Sequence, residues 1–85
     1  MIERLYVSDF EKIYKIMEES FPPTEFRPQN EQLALFDDSH YRVFGIKKND
    51  EILSIAAVWE FEEITFIEHL ATTKEHRGSG IGSTI

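Results

Sequence analysis

Apolar residues recur at intervals of three and four in the first quarter of the chain. Phe10, Ile13, Tyr14, Met17 and Phe21 fall on one side of a helical wheel, and Glu11, Lys12, Lys15 and Glu18 fall on the other. That spacing predicts an amphipathic helix lying on a core. Ahead of it, "IERLYV" reads as a short strand. "SDFE" then makes Ser8 the helix N-cap with Glu11 three residues on, a capping box in which each side chain satisfies a free backbone donor. The helix ends at "FPP", because Pro22 and Pro23 cannot continue the ladder and Phe21, preceding a proline, is biased toward an extended conformation. After a loop, Pro28 suits a first helical position. "QNEQLALF" predicts a second, short helix that runs out at Asp37, Asp38 and Ser39.

Beyond residue 40 the period changes. "YRVFGI" and "ILSIAAVWEF" are rich in β-branched and aromatic residues and flank "KKNDE", whose Asn49 and Asp50 favour a tight turn. This predicts a hairpin. "EITFIEHLA" adds a third strand through an acidic turn around Glu60 to Glu63, completing an antiparallel meander. Helices precede the meander, so the fold class is α+β with the helices packed on a mostly antiparallel sheet. No repeat, low-complexity tract or linker divides the chain, which predicts a single domain over residues 1–85.

Composition narrows the picture. At 41% hydrophobic and 13% aromatic the chain has the large apolar residues that a packed core needs. There is no cysteine, which removes disulfides and thiolate metal sites and fits a cytoplasmic protein. No apolar run approaches the ~20 residues of a membrane span, and the acidic start "MIERLYVSDF" is unlike a signal peptide. Nine basic against sixteen acidic residues leave a net charge of −7, which argues against a nucleic-acid partner. The expected partners thus include no nucleic acid and no membrane, and no metal site is visible.

The chemistry concentrates in "KEHRGSGIG", straight after the apolar strand. A strand that runs into a glycine-rich turn and a helix start aims several backbone N–H groups at one point, where the helix dipole also favours negative charge. Side chains in place of the glycines would keep a phosphate away from those amides; the alternative is an ordinary flexible loop or a hairpin turn. A Walker loop would need a lysine after the last glycine, and a dinucleotide fingerprint would need glycine where Ser83 stands. What matches is Arg-x-x-Gly-x-Gly at Arg77, Gly80 and Gly82, following an antiparallel meander.

The order strand, two helices, three-stranded meander and then "EHRGSGIGSTI" resembles the GNAT N-acetyltransferases over the whole chain. The resemblance implies an acyl-CoA N-acyltransferase-like fold, here its N-terminal half, β-α-α-β-β-β and the start of a helix. In that family the Arg/Gln-x-x-Gly-x-Gly/Ala loop binds the pyrophosphate of acetyl-CoA through backbone amides, and the preceding strand contacts the pantetheine arm. Carried over to this chain, Arg77, Gly78, Ser79, Gly80, Ile81, Gly82 and Ser83 surround the pyrophosphate. Leu70, Ala71 and Thr72 offer backbone groups to the pantetheine; Thr72 stands where the family usually has valine, which leaves backbone contacts intact.

The implied reaction is transfer of an acetyl group from acetyl-CoA, as co-substrate, to a primary amine on a small molecule or peptide. An ammonium is not a nucleophile, so the site must remove a proton through a carboxylate or water and stabilise an oxyanion with backbone donors. Glu68, a carboxylate inside an apolar strand where several family members carry an acidic residue, is the first candidate base; the alternative is a strand-end glutamate facing solvent. His69, the second catalytic candidate, points to the opposite face of an ideal strand unless a bulge, common here in the family, alters the parity. Glu63, His40 and His76 rank below both. In "FPPTEFRP", which in the family borders the acceptor pocket, Phe21, Glu25, Phe26 and Arg27 are candidate acceptor contacts, against the alternative of an ordinary rigid connection. Trp59 and the phenylalanines read as core or pocket wall. The resemblance also implies a domain truncated at its C-terminal end, lacking the region whose tyrosine commonly protonates the departing thiolate. Such a fragment is expected to be weakly active and to form homo-oligomers through an exposed sheet edge. Two other classes stay open: a non-catalytic module holding CoA or another phosphate ligand, and a protein-interaction domain.

Overall fold

The amphipathic stretch forms α1, Phe10–Ser20, in a computed structural model that describes residues 2–73. Its residues Ile13, Ile16 and Met17 join Leu5, Tyr41, Val43, Ile52, Ile55, Ala57 and Ala71 in one core. Each large aliphatic side chain so buried contributes about 1.5–3 kcal/mol relative to exposure. The other elements are β1 (Ile2–Leu5), α2 (Gln29–Ala34), β2 (Tyr41–Lys48), β3 (Glu51–Glu60) and β4 (Thr65–Thr72), with 3-10 turns at Val7–Asp9, Pro23–Glu25 and Leu35–Asp37.

The start of α1 differs from the capping box expected at Ser8 and Glu11. Asp9 occupies the N-cap and no side chain caps the helix. The 3-10 turn supplies backbone partners instead: the Asp9 N–H donates to the Tyr6 carbonyl at 2.8 Å and the Phe10 N–H to that of Val7. The carboxylate of Asp9 is drawn to Lys47, 3.0 Å away on β2. At the other end Phe21 is extended (φ −130°, ψ 148°) before the two prolines, as steric crowding by proline requires. Pro28 stands just outside α2, and its carbonyl accepts from the N–H groups of Glu31 and Gln32.

Among the described residues four strands pair antiparallel in sequential order, β1-β2-β3-β4. Between β2 and β3, Asn49 (φ 52°) and Asp50 (φ 66°) both take left-handed conformations, as a two-residue type I′ hairpin loop demands. Gly45 of β2 pairs with Glu3 of β1 on one side and Ile55 of β3 on the other. A Cβ there would lie 2.6 Å from Leu5 Cδ1 and 2.8 Å from the Ser54 carbonyl oxygen. Two register shifts interrupt the ladders. Ile46 faces Ser54 while Lys47 faces Ile52, leaving Leu53 as an extra residue on β3. Ala57 faces His69 while Val58 faces Ile67, leaving Glu68 as an extra residue on β4.

Candidate functional site

The extra residue on β4 decides the geometry. In a regular strand Glu68 and His69 would point to opposite faces, but a bulge adds one residue to one strand and bends it locally. Both side chains therefore turn toward the connection between α1 and α2. Together with Phe21, Thr24, Glu25, Phe26 and Arg27 they line an open cleft of about 460 Å³.

Arg27 grips Glu68 through two bonds, Nη1 to Oε1 at 2.6 Å and Nη2 to Oε2 at 3.0 Å. The indole N–H of Trp59 donates to the same Oε2 at 3.2 Å. These donors hold the Glu68 carboxyl below the usual carboxylate range, Arg27 first, against the desolvation that pushes the other way. The guanidinium is correspondingly pushed up by its bonded carboxylate. The Arg27 backbone is fixed separately: the Tyr14 hydroxyl donates to its carbonyl at 2.9 Å, and Tyr14 meets the Phe26 ring edge to face, centroids 5.6 Å apart.

His69 is 7% exposed and leans on the Phe21 ring, 5.0 Å between centroids. Its Nε2 lies 2.7 Å from the Glu25 carbonyl. A carbonyl only accepts, so Nε2 carries hydrogen, and in the neutral ring Nδ1 bears the lone pair. Nδ1 lies 3.4 Å from Glu68 Oε1 without a hydrogen-bond partner among the described residues. Glu25 thus contributes its backbone carbonyl to the cleft wall, and the residue is exposed.

Of the strand residues expected beside the pantetheine, Leu70 is exposed, Thr72 half-buried and Ala71 buried, with the Ala71 carbonyl accepting from Ser54 Oγ at 2.9 Å. β4 is the last strand of the sheet among the described residues, so its outer edge presents backbone amides and carbonyls as an extended amide-bearing chain would need. Arg77, Gly78, Ser79, Gly80, Ile81, Gly82 and Ser83, and His76 with them, lie outside the described residues. His40 sits apart from the cleft, stacked on Phe61 at 4.8 Å and 3.3 Å from Asp38. Glu63 is exposed in the β3–β4 turn.

Sequence reasoning missed the polar role of Trp59, whose ring also meets Tyr41 edge to face at 5.0 Å. It missed Thr24 as a lining residue and the Gln32–Tyr41 bond, 2.5 Å, beneath the helices. Burial pushes the Tyr41 hydroxyl up to about 12, against the Gln32 bond. No local signal marks these residues, because each placement depends on how segments distant in sequence pack together. Among the described residues no group of three or more His, Asp or Glu could hold a metal ion, and no helix is long and apolar enough to cross a membrane.

This architecture recurs in solved structures. One is a protein of the GNAT acetyltransferase family from Bacteroides thetaiotaomicron, 26% identical, TM-score 0.79, matched over 99% of this chain and 50% of that one. A second is the ribosomal-protein-S18-alanine N-acetyltransferase of Escherichia coli, 16% identical, TM-score 0.82, over 99% and 52%. A third, an aminoglycoside acetyltransferase from an uncultured soil metagenomic sample, is 18% identical with a TM-score of 0.71, over 99% and 62%. The chain thus spans between 50% and 62% of the length of these structures. No curated protein matches it. The model of the acetyltransferase (GNAT) family matches residues 10–85. An α+β meander with α1 on its core face, shared with acetyltransferases and matched by that family model over most of the chain, means that this chain belongs to the GNAT acetyltransferase family.

Proposed function

We propose that this chain carries the acceptor side of an acetyl-CoA-dependent N-acetyltransferase that acetylates a primary amine on a small molecule or peptide. The observation that carries the reading is the β4 bulge, which brings Glu68 and His69 into one cleft with Phe21, Glu25, Phe26 and Arg27. Acetyl-CoA supplies the acetyl thioester. The outer edge of β4 at Leu70, Ala71 and Thr72 suits the amides of the pantetheine arm, and the sequence pattern Arg77–Ser83 suits its pyrophosphate. Glu68 is the group that receives the ammonium and takes its proton, directly or through a water, and backbone N–H groups of β4 stabilise the oxyanion. His69, hydrogen-bonded to Glu25 and beside Glu68, holds the loop against the bulge and is the second proton-handling group. Two of the solved structures named above are a ribosomal-protein-S18-alanine N-acetyltransferase and an aminoglycoside acetyltransferase, which supports an amine acceptor here.

A second reading, a module that holds CoA or a related phosphate ligand without turnover, is favoured by one observation: Arg27 and Trp59 occupy both oxygens of Glu68. Thiol release from acetyl-CoA across a panel of primary amines separates the two. The expected outcome is amine-dependent thiol release that Glu68→Gln lowers by about 10²-fold or more while the acetyl-CoA dissociation constant changes little. Acetyl-CoA-dependent thermal stabilisation with no thiol release for any amine would favour the module instead.

A further inference from the structure

Arg27 and Glu68 form part of the cleft wall. The guanidinium reaches from the loop after α1 to a carboxylate 41 positions away, and the two side chains keep 33% and 24% exposure. Trp59 does not line the cleft while Arg27 does, so the indole holds the carboxylate from within and the guanidinium covers it on the cleft side. The backbone of Arg27 does not depend on that pair, because the Tyr14 hydroxyl holds its carbonyl and Pro28 fixes the next residue. The side chain, long and unbranched, can leave Glu68 while the loop stays in place. Glu31 in the first turn of α2 already acts on Arg27 electrostatically, and Glu25 lines the same cleft, so the displaced cation stays in acidic surroundings.

We propose that Arg27 is a displaceable cation that sets acceptor specificity: its guanidinium holds the place on Glu68 that the acceptor's ammonium takes, so that only amines entering the cleft as cations exchange with it. The inference rests on the cleft being the acceptor site. Alkyl amines, charged at neutral pH, compete for the carboxylate; aryl amines, which are neutral, leave Arg27 in place and are excluded. The affinity of any cation is then reduced by the fraction of protein in which Arg27 is closed. An exposed pair alone would lower it only a few-fold, whereas a bidentate, half-buried one extends this to about tenfold.

Calorimetric or NMR titration of the parent, R27A, R27K and R27A/E68Q with n-butylammonium and with methylguanidinium tests this without any turnover. R27A is expected to bind n-butylammonium about tenfold more tightly than the parent. R27K should fall between them, because a lysine meets the carboxylate as a single point charge. Methylguanidinium should compete with n-butylammonium in R27A, and E68Q should abolish the gain. If Arg27 is a fixed clamp, R27A binds the amine no better than the parent and methylguanidinium strengthens its binding by restoring the missing group; either result overturns the proposal. Should R27A fail to fold, R27K decides, and n-butylammonium binding no tighter than in the parent overturns it. Cation exchange without acetyl transfer in any assay would instead defeat the functional reading alone.

Discussion

At Glu68 two N–H groups of a guanidinium and one of an indole converge on a single carboxylate. The first two come from a loop and the third from a neighbouring strand, so the residue ties three separate segments together. Its folded-state pKa is lowered, and the sign of the resulting pH dependence follows. A carboxyl with a depressed pKa contributes stability that is complete above its unfolded value, ~4.3, and is lost as pH falls through the lower folded value. Urea midpoints measured from neutral pH downward should therefore drop more steeply below about pH 5 in the parent than in Glu68→Gln, which has no such group to titrate. Parallel curves would mean that the Arg27 pair adds nothing to stability in solution. The test is independent of catalysis, since it reads the pair and not the reaction.

The elements are held by close strand approach as much as by side-chain volume. Gly45 lies between Glu3 of β1 and Ile55 of β3 in the register. The first obstacle to a Cβ there is the end of the Leu5 side chain, which can shift, but the second is the Ser54 carbonyl oxygen at 2.8 Å, which is backbone. Ser54 is itself buried and bonded to the Ala71 carbonyl, so moving it disturbs the β3–β4 ladder beside the bulge. Gly45→Ala is expected to cost about 1–3 kcal/mol, the range for overpacking a tight interior. Reversible unfolding of the variant measures this, and an unchanged midpoint would show that β3 yields more readily than its packing suggests.

Across the whole molecule the polar and apolar surfaces are unevenly placed. Phe61, Ile64, Phe66, Ile67 and Leu70 are all at least 40% exposed and cluster on β4 and the turn before it, and β4 is the terminal strand among the described residues. A strand at the edge of a sheet, beside apolar side chains, favours pairing with another strand. The net charge of −7 opposes a second copy, but that repulsion is screened over ~8 Å at physiological salt. Self-association through β4 is therefore expected to strengthen as salt rises. Sedimentation velocity across salt concentrations checks it, and a monomer at every ionic strength would show that the β4 edge is otherwise protected.

What the sequence by itself determined is the set of elements whose cause is local. The spacing of Phe10, Ile13, Tyr14 and Met17 makes α1 amphipathic, Pro22 and Pro23 end it, Asn49 and Asp50 accept the left-handed conformations of a tight hairpin, and runs rich in β-branched and aromatic residues form the meander. Glu68, His69 and the "FPPTEFRP" loop could be singled out through a family resemblance, yet nothing local says that they meet. That was decided by tertiary structure, through one register shift between Ala57 and Val58. Strand parity alternates by single residues, so one inserted residue turns Glu68 to the side of His69, and no propensity of Glu68 encodes the insertion. The same dependence hid Trp59 as a donor to Glu68 and replaced the Ser8 cap by a 3-10 turn with Asp9 drawn to Lys47. Trp59 and Lys47 are partners that only the packed sheet supplies, because hydrogen bonds and ion pairs are satisfied by whichever group the folded chain brings within reach.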